Sequence, residues 1–458
     1  MVHLSEAPSK FQTNRYLTAF DSFEKGAFKK NPSWLVNLRK SAIGCFANLG
    51  FPTTRHESWK YTNAGPIAET PFEFAFDQCS QDVVLSQLEP FTFGQKGWPR
   101  LVFINGVFSN ELSTVSFQSG LKITNIKSAF ASDPKLLESY LAQVASYDQN
   151  AFAALNTAFV NDGALICLSE GTALDDPIHL LFVSSTQNNP LVSQPRTLIL
   201  AGKNSRARIL ESHVSLCGGV YLTNAVTEIV LDEGALIEHQ KLQRESERAF
   251  HVGTTHVRQN HGSRFLSFSA DLGGKLVRNN LTIDLNAERA ECELNGLYLV
   301  SGDQHVDNTT LIDHPKPYGT SRQLYKGLVS GKGRAVFFGK IFVHKDAQHT
   351  DASQTNKNLL LSESAVVDTR PQLEILNNDV KCTHGAAVGQ LDEGAIFYLK
   401  TRGIGDKEAQ RLLSYGFAME VLDCVKLEPV HTELDRLILA RLQDCSYFAW
   451  RDKRKEHG

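Results

Sequence analysis

Helix-length amphipathic stretches, then strand-length alternating runs, then a second helical pair follow one another along the chain and divide it into three zones. The first runs to about residue 165. Phe20 to Leu49 contains helix-length amphipathic material, including Trp34-Leu35-Val36-Asn37-Leu38. Pro134 to Phe159 repeats the pattern, with Leu136, Leu137, Tyr140, Leu141, Val144 and Ala145 at helical spacing. Between them, the run from Arg100 to Phe108 looks like a hairpin.

From about Gly163 to Leu399 the character changes. Runs rich in β-branched and aromatic residues succeed one another, separated by polar or glycine turns. They share a local form: a charged or small turn, a small residue, then alternation. Examples are Ser205-Arg206-Ala207-Arg208-Ile209, Asp232-Glu233-Gly234-Ala235-Leu236, Glu288-Arg289-Ala290-Glu291-Cys292, Gly333-Arg334-Ala335-Val336 and Ser364-Ala365-Val366-Val367. Copies lie one or two units of roughly 25–30 residues apart, the range of repeat architectures. A solenoid of parallel β coils would stack these runs; a β-sandwich or jelly roll with imperfect spacing is the alternative. Past Gly403 the period becomes helical again. Asp406 is the expected cap of a helix carrying Ala409, Leu412, Leu413 and Phe417, and Leu434, Leu437, Ile438 and Leu442 mark a second. The expected division is residues 1–165 mainly helical, 166–400 β and 401–458 helical.

Composition excludes several roles. Among 458 residues, 47 basic and 50 acidic side chains leave a net charge of -3, without the concentrated basic face that nucleic acid requires. The run Arg451-Asp452-Lys453-Arg454-Lys455 reads as a solvated tail. The polar stretch Met1 to Asn14 is unlike a secretory signal. No apolar run approaches the roughly 20 residues of a membrane span. A cytoplasmic location is expected. The eight cysteines (Cys45, Cys79, Cys167, Cys217, Cys292, Cys382, Cys424 and Cys445) stand singly, which points to free thiols rather than a disulfide framework or a self-contained zinc or ferredoxin site.

Motif chemistry is mostly absent. No GxxxxGK[ST] loop occurs, so ATP hydrolysis by this chain is not expected; Ser330-Gly331-Lys332-Gly333 reads as a turn. No HExxH or GxSxG appears. His239, His251, His256, His261, His305, His314, His344, His349 and His384 raise a cupin-like metal site, but their spacing matches no compact ligand set. Most of them read as solvated or satisfied by turns. Sharper is Lys381-Cys382-Thr383-His384-Gly385. On a strand, period two places Cys382 and His384 on one face, and thiolate with imidazole suits iron or zinc. Two ligands leave a metal or cluster incomplete, so the rest would come from elsewhere. A buried cysteine beside a turn histidine is the simpler account of the residues alone.

One long ordered series goes further. Gly339-Lys340-Ile341, Ala347-Gln348-His349-Thr350-Asp351-Ala352-Ser353-Gln354, Asp368-Thr369-Arg370-Pro371-Gln372-Leu373-Glu374, Cys382-Thr383-His384-Gly385 and Phe397-Tyr398-Leu399-Lys400-Thr401-Arg402-Gly403-Ile404 resemble the SufD family. Glu57-Ser58-Trp59-Lys60-Tyr61-Thr62 near the N-terminus agrees. Where SufB-type sequences carry Gln-Cys-Asp-Ser and Glu-His-Glu-Ala, this chain has Asn356-Lys357-Asn358-Leu359 and Thr383-His384-Gly385-Ala386. Departures from the family at Asn377-Asn378 and Ala387 change the polarity beside the Cys/His pair.

The resemblance implies a mainly β protein: a right-handed parallel β-helix core between an N-terminal mixed, helical region and a C-terminal helical one. It implies a scaffold for iron–sulfur cluster assembly rather than an enzyme. SufB would pair through the last coils. The ABC-type ATPase SufC would dock on the C-terminal helices, with Leu412, Leu413 and Phe417 as the binding face. Clusters would pass to acceptor apo-proteins. His384, with Cys382 second, would hold a nascent cluster shared with SufB, and the lone chain would bind none tightly. Two other readings stand beside it: a β-helical lyase or esterase using Asp351, Asp368 and Arg370 along one face, and a cupin-like metalloprotein.

Overall fold

The alternating runs become sixteen strands that switch between two sheets. One sheet takes Gly163–Leu168, Arg196–Ala201, Tyr221–Leu231, Phe250–Gln259, Leu276–Leu285, His305–His314, Arg334–Val343 and Val366–Ile375. The other takes Ile178–Ser184, Arg206–Ser215, Leu236–Arg244, Arg264–Asp271, Glu291–Val300, Thr320–Val329, Asp351–Leu360 and Lys381–Gly389. Within each sheet these neighbours are parallel. Arg206 pairs with Leu236, Leu236 with Arg264, Arg264 with Glu291, Glu291 with Thr320, Thr320 with Asp351 and Asp351 with Lys381, so a coil takes 27 to 31 residues. The protein is the expected parallel β-helix, of eight coils. The structure is a computed structural model that describes residues 10–27, 31–74, 83–115, 118–186 and 189–443. Cys79, Cys445 and the basic run at 451–455 lie outside the described residues.

The repeated local form has a backbone cause. Two residues before successive strands of the second sheet, Asn204, Gly234, Gly262, Arg289, Tyr318 and His349 all adopt φ of 55–66°. Glycine reaches that region freely; the others cost about 1–3 kcal/mol each, so the turn geometry must be over-determined. It is: the N–H of each donates to a carbonyl of the next coil, at Glu233, His261, Glu288, Pro317, Gln348 and Asp379. The following residue (Ser205, Ala235, Ser263, Ala290, Gly319 or Thr350) is buried where the chain turns the corner, and only a small side chain fits there.

Apolar side chains such as Ile209, Ile237, Phe265, Val300, Phe337 and Ile341 fill the interior. The first 165 residues are less separate than their pattern suggests. Helices Lys10–Ala27 and Ser33–Leu49 are present, and Arg100–Ile104 with Val107–Thr114 forms the expected hairpin. That hairpin, however, pairs with Ile178–Ser184, and Leu121–Asn125 pairs with Gly163–Leu168, so both sheets continue into this region.

At the other end the strands stop at Gly389. Glu393–Thr401 is a helix inside the stretch read as the end of the β core, followed by helices Asp406–Leu422 and Glu428–Gln443. Gly405, not Asp406, occupies the cap of the middle helix; the Asp406 carboxylate instead accepts from Lys400 at 3.0 Å. The last two helices lie on the outside of the second sheet. Ala418, Val421, Leu422, Leu434, Ile438 and Leu442 bury themselves against its outward Leu210, Leu242, Phe268, Leu297, Leu299 and Leu328. Among the described residues, no helix is long and apolar enough to cross a membrane.

Candidate functional site at the open end of the solenoid

Among the described residues, the two last strands, Val366–Ile375 and Lys381–Gly389, each have one neighbour in their sheet. Along Asp351–Leu360, burial alternates so that Ala352, Gln354, Asn356 and Asn358 face inward. Register then places Cys382 on Ala352, His384 on Gln354, Ala386 on Asn356 and Val388 on Asn358. Successive strands of a sheet keep their side chains on the same faces, so Cys382 and His384 both face inward, on one face as alternation predicts. Cys382 is half-buried against the interior apolar core. His384 is exposed at the open end. Opposite them, Val367 and Leu373 pack into the same core, and Thr369 donates to Asn356 Oδ1 at 2.8 Å.

Partial burial pushes the Cys382 thiol up, and the Asp351 charge adds to it, so near neutral pH it is a thiol rather than a thiolate.

Below this mouth the interior is unexpectedly polar. Asn356 donates to the Tyr298 hydroxyl at 3.0 Å, and that hydroxyl donates to Asn358 Oδ1 at 2.5 Å. Deeper, the Glu211 carboxylate accepts from His213 at 2.8 Å and His239 at 3.0 Å. Burial opposes its charge, but these two histidines hold its pKa well below the carboxylate range. His251 bridges Glu245 at 2.7 Å and Lys241 at 3.0 Å. Burial first, then the Lys241 charge, lowers His251 to about 4. Three of the nine histidines are exceptions to the sequence reading: His239, His251 and His314 are buried and partnered. Among the described residues, no group of three or more His, Cys, Asp or Glu is placed to hold a metal.

The other sequence-derived sites divide. Asp351 belongs to the second sheet, whereas Asp368 and Arg370 belong to the first. Each is held by an ion pair: Asp351 with Arg322 at 2.6 Å, Asp368 with Arg334 at 2.6 Å, and Arg370 with Glu57. Asp368 and Arg370, two apart on one strand, share its face, but Asp351 lies on the other sheet, so the three do not line one face as the lyase reading requires. Leu412 is exposed, Leu413 is half-buried, and Phe417 packs on the β-helix beneath Lys326. Sequence reading missed the exposed aromatics Phe397 and Tyr398, taking them for strand. Their helix buries none of its residues. The signal was there: Asp392 accepts from the N–H groups of Gly394 at 2.7 Å and Ala395 at 3.1 Å, a standard N-cap.

Comparison with known families resolves this geometry. The SufBD core domain of the SUF system for FeS cluster assembly matches residues 182–417, and the SufBD N-terminal region matches 10–180. The chain belongs to the SufBD family of iron–sulfur cluster assembly proteins. An iron–sulfur cluster assembly SufBD family protein of Synechocystis is 35% identical over 418 residues, covering 89% of this chain and 91% of its own. The iron–sulfur cluster assembly protein SufD of Escherichia coli is 30% identical, covering 92% and 94%. The corresponding SufB of Bacillus subtilis is 23% identical, covering 94% of each. Within the SufBD family the chain is SufD-like, more similar to that SufD than to that SufB.

Proposed function

We propose that this chain is the SufD-type scaffold of a cluster-assembly complex and performs no catalysis alone. Its open last coil pairs with a SufB-like subunit. An ABC-type ATPase docks on the C-terminal helical region, and the finished cluster passes to acceptor apo-proteins. The observation that carries the reading is the placement of Cys382 and His384: one face, the terminal strand, and an unpaired sheet edge beside them. A neutral imidazole is a competent iron ligand, and a half-set of ligands at an open edge suits a cluster that is cargo between two subunits. His384 would be the principal ligand and Cys382 the lesser one, with SufB supplying the others.

The test is the His384→Ala complex, co-expressed with SufB and SufC and purified without oxygen. Gel filtration should show an intact complex, and its cluster absorbance should be lost; Cys382→Ala should be milder. Full cluster loading of the His384→Ala complex would rule out the ligand role, and loss of the complex itself would make His384 structural.

A further inference from the structure

We infer that Gln354 is the positioning residue for His384, presenting a buried carbonyl oxygen that receives one ring N–H and aims the other nitrogen out of the solenoid. This rests on the reading of His384 as a ligand. The inference comes from three adjoining coils. In the lowest, Gln323 donates its amide to Thr310 Oγ1 at 2.8 Å. That leaves Gln323 Oε1 as an acceptor, and Gln354 donates to it at 2.9 Å. That bond fixes which way the Gln354 amide lies. Among the described residues its Oε1 has no hydrogen-bond partner, and the residue is 1% exposed.

A buried amide oxygen left unpaired is costly. Asn224 Oδ1, Gln240 Oε1 and Gln259 Oε1 are likewise unpaired among the described residues, and what sets Gln354 Oε1 apart is its place beneath the open last coil. The next residue in this column is His384, in register with Gln354. Gly339 supports the arrangement from the opposite sheet: a Cβ there would fall 1.5 Å from Gln354 Nε2. The missing side chain lets the amide lie across the interior, and Pro371, in register with Gly339 in the last coil, offers no N–H to compete for the oxygen.

The ladder therefore has a direction: Thr310 accepts from Gln323, Gln323 from Gln354, and Gln354 is left to accept from the coil above. In His384 the ring nitrogen nearer its own strand is Nδ1. An Nδ1–H donated to Gln354 leaves the Nε2 lone pair outermost. Histidine ligands are commonly fixed by such a second hydrogen bond, and its loss costs about tenfold or more in metal affinity.

The test uses the full chain labelled with ¹⁵N-histidine, above the imidazole titration range, with two-bond proton–nitrogen correlations assigned by the signal missing in His384→Ala. Wild-type His384 should be the Nδ1–H tautomer, Gln354→Leu should convert it to Nε2–H, and Gln354→Glu, which keeps the acceptor, should retain Nδ1–H. In the co-expressed complex, cluster loading should fall about tenfold in Gln354→Leu and recover in Gln354→Glu. An Nε2–H tautomer in the wild type overturns the inference without any variant, as does a tautomer indifferent to Gln354→Leu. Should the tautomer switch while His384→Ala still loads a full cluster, the ligand reading fails and the positioning role stands.

Discussion

The ammonium of Lys326 sits 4.1 Å from the centre of the Phe417 ring and donates to the Phe417 carbonyl at 2.8 Å. It also pairs with Glu420, so one helix of the C-terminal region is pinned to the β-helix through a cation that is nearly buried. Phe417 is thus part of the fold rather than of a free docking face. Phe417→Ala should destabilise the protein by about 2 kcal/mol, from lost packing and the lost cation–ring contact, measured by urea unfolding. Leu412→Asp, at an exposed position, should change stability by less than about 0.5 kcal/mol while weakening capture of the ATPase. Equal stability of wild type and Phe417→Ala would refute the assignment.

The same packing decides what truncation does. Removing everything after Gly403 would expose Leu210, Leu242, Phe268, Leu297, Leu299 and Leu328 on the outside of the second sheet. Contiguous apolar surface of that kind drives association. The truncated chain should elute from gel filtration as aggregate rather than as a folded β core, so loss of ATPase binding by it says nothing about docking. A monodisperse truncated chain would contradict this.

Much of the fold was legible because its repeat is enforced by backbone geometry. A left-handed turn residue followed by a small one recurs in Gly234-Ala235 and Arg289-Ala290, and the spacing of the coils follows from it; the face shared by Cys382 and His384 follows from strand alternation. The interior was not legible. Asp351–Leu360 reads almost wholly polar, yet every second residue from Ala352 to Asn358 is buried. Alternation marks which residues share a face; it does not say that a glutamine ladder fills the inside. The helical stripe through Phe417 is a related case: a period of 3.6 shows that a face is covered, not by what. Phe397-Tyr398-Leu399 looked like strand because aromatic residues favour strands, and the Asp392 cap was the overriding signal.

A second anchor joins the N-terminal region to the coils. Arg196 and Glu228, both essentially buried, meet at 2.6 Å. Glu228 also accepts from the backbone N–H groups of Ala142, Val144 and Ala145 at 2.9–3.1 Å. Glu228→Ala strands a buried guanidinium and three N–H groups, so unfolding free energy should fall by about 3–5 kcal/mol. Adding Arg196→Leu should cost less than the sum of the two single changes. Strict additivity would show that the pair is not coupled.

Buried histidines set the response to acid. Burial alone lowers His314 to about 3, beneath the ordinary imidazole value of about 6.5. The unfolded chain therefore binds a proton at a pH where the folded one does not. Stability from this group is present above pH 6.5 and is lost as pH falls from there towards 3. Between pH 7 and pH 5 the loss should approach about 2 kcal/mol. His314→Asn should flatten the pH dependence of the urea midpoint by a comparable amount. An unchanged slope in that variant would place the acid sensitivity elsewhere.

The terminal strand allows pairing and folding to be separated with one residue. The Lys381 N–H donates to Thr350 of the preceding coil. In a parallel ladder, alternate residues address alternate neighbours. Lys381, Thr383, Gly385, Ala387 and Gly389 therefore bond into the solenoid, while the N–H groups of Cys382, His384, Ala386 and Val388 point to the free edge. Proline is tolerated on an edge strand where its missing N–H faces outward. Ala386→Pro should accordingly leave the chain folded, with an unaltered urea midpoint, yet abolish co-purification with the SufB-like subunit. Ala387→Pro, one position on, removes an inward bond and should instead lower stability. The difference between two neighbouring prolines cannot arise from a general disturbance of the strand. If Ala386→Pro still assembles normally, the partner does not extend this sheet, and the open edge beside His384 has some other use.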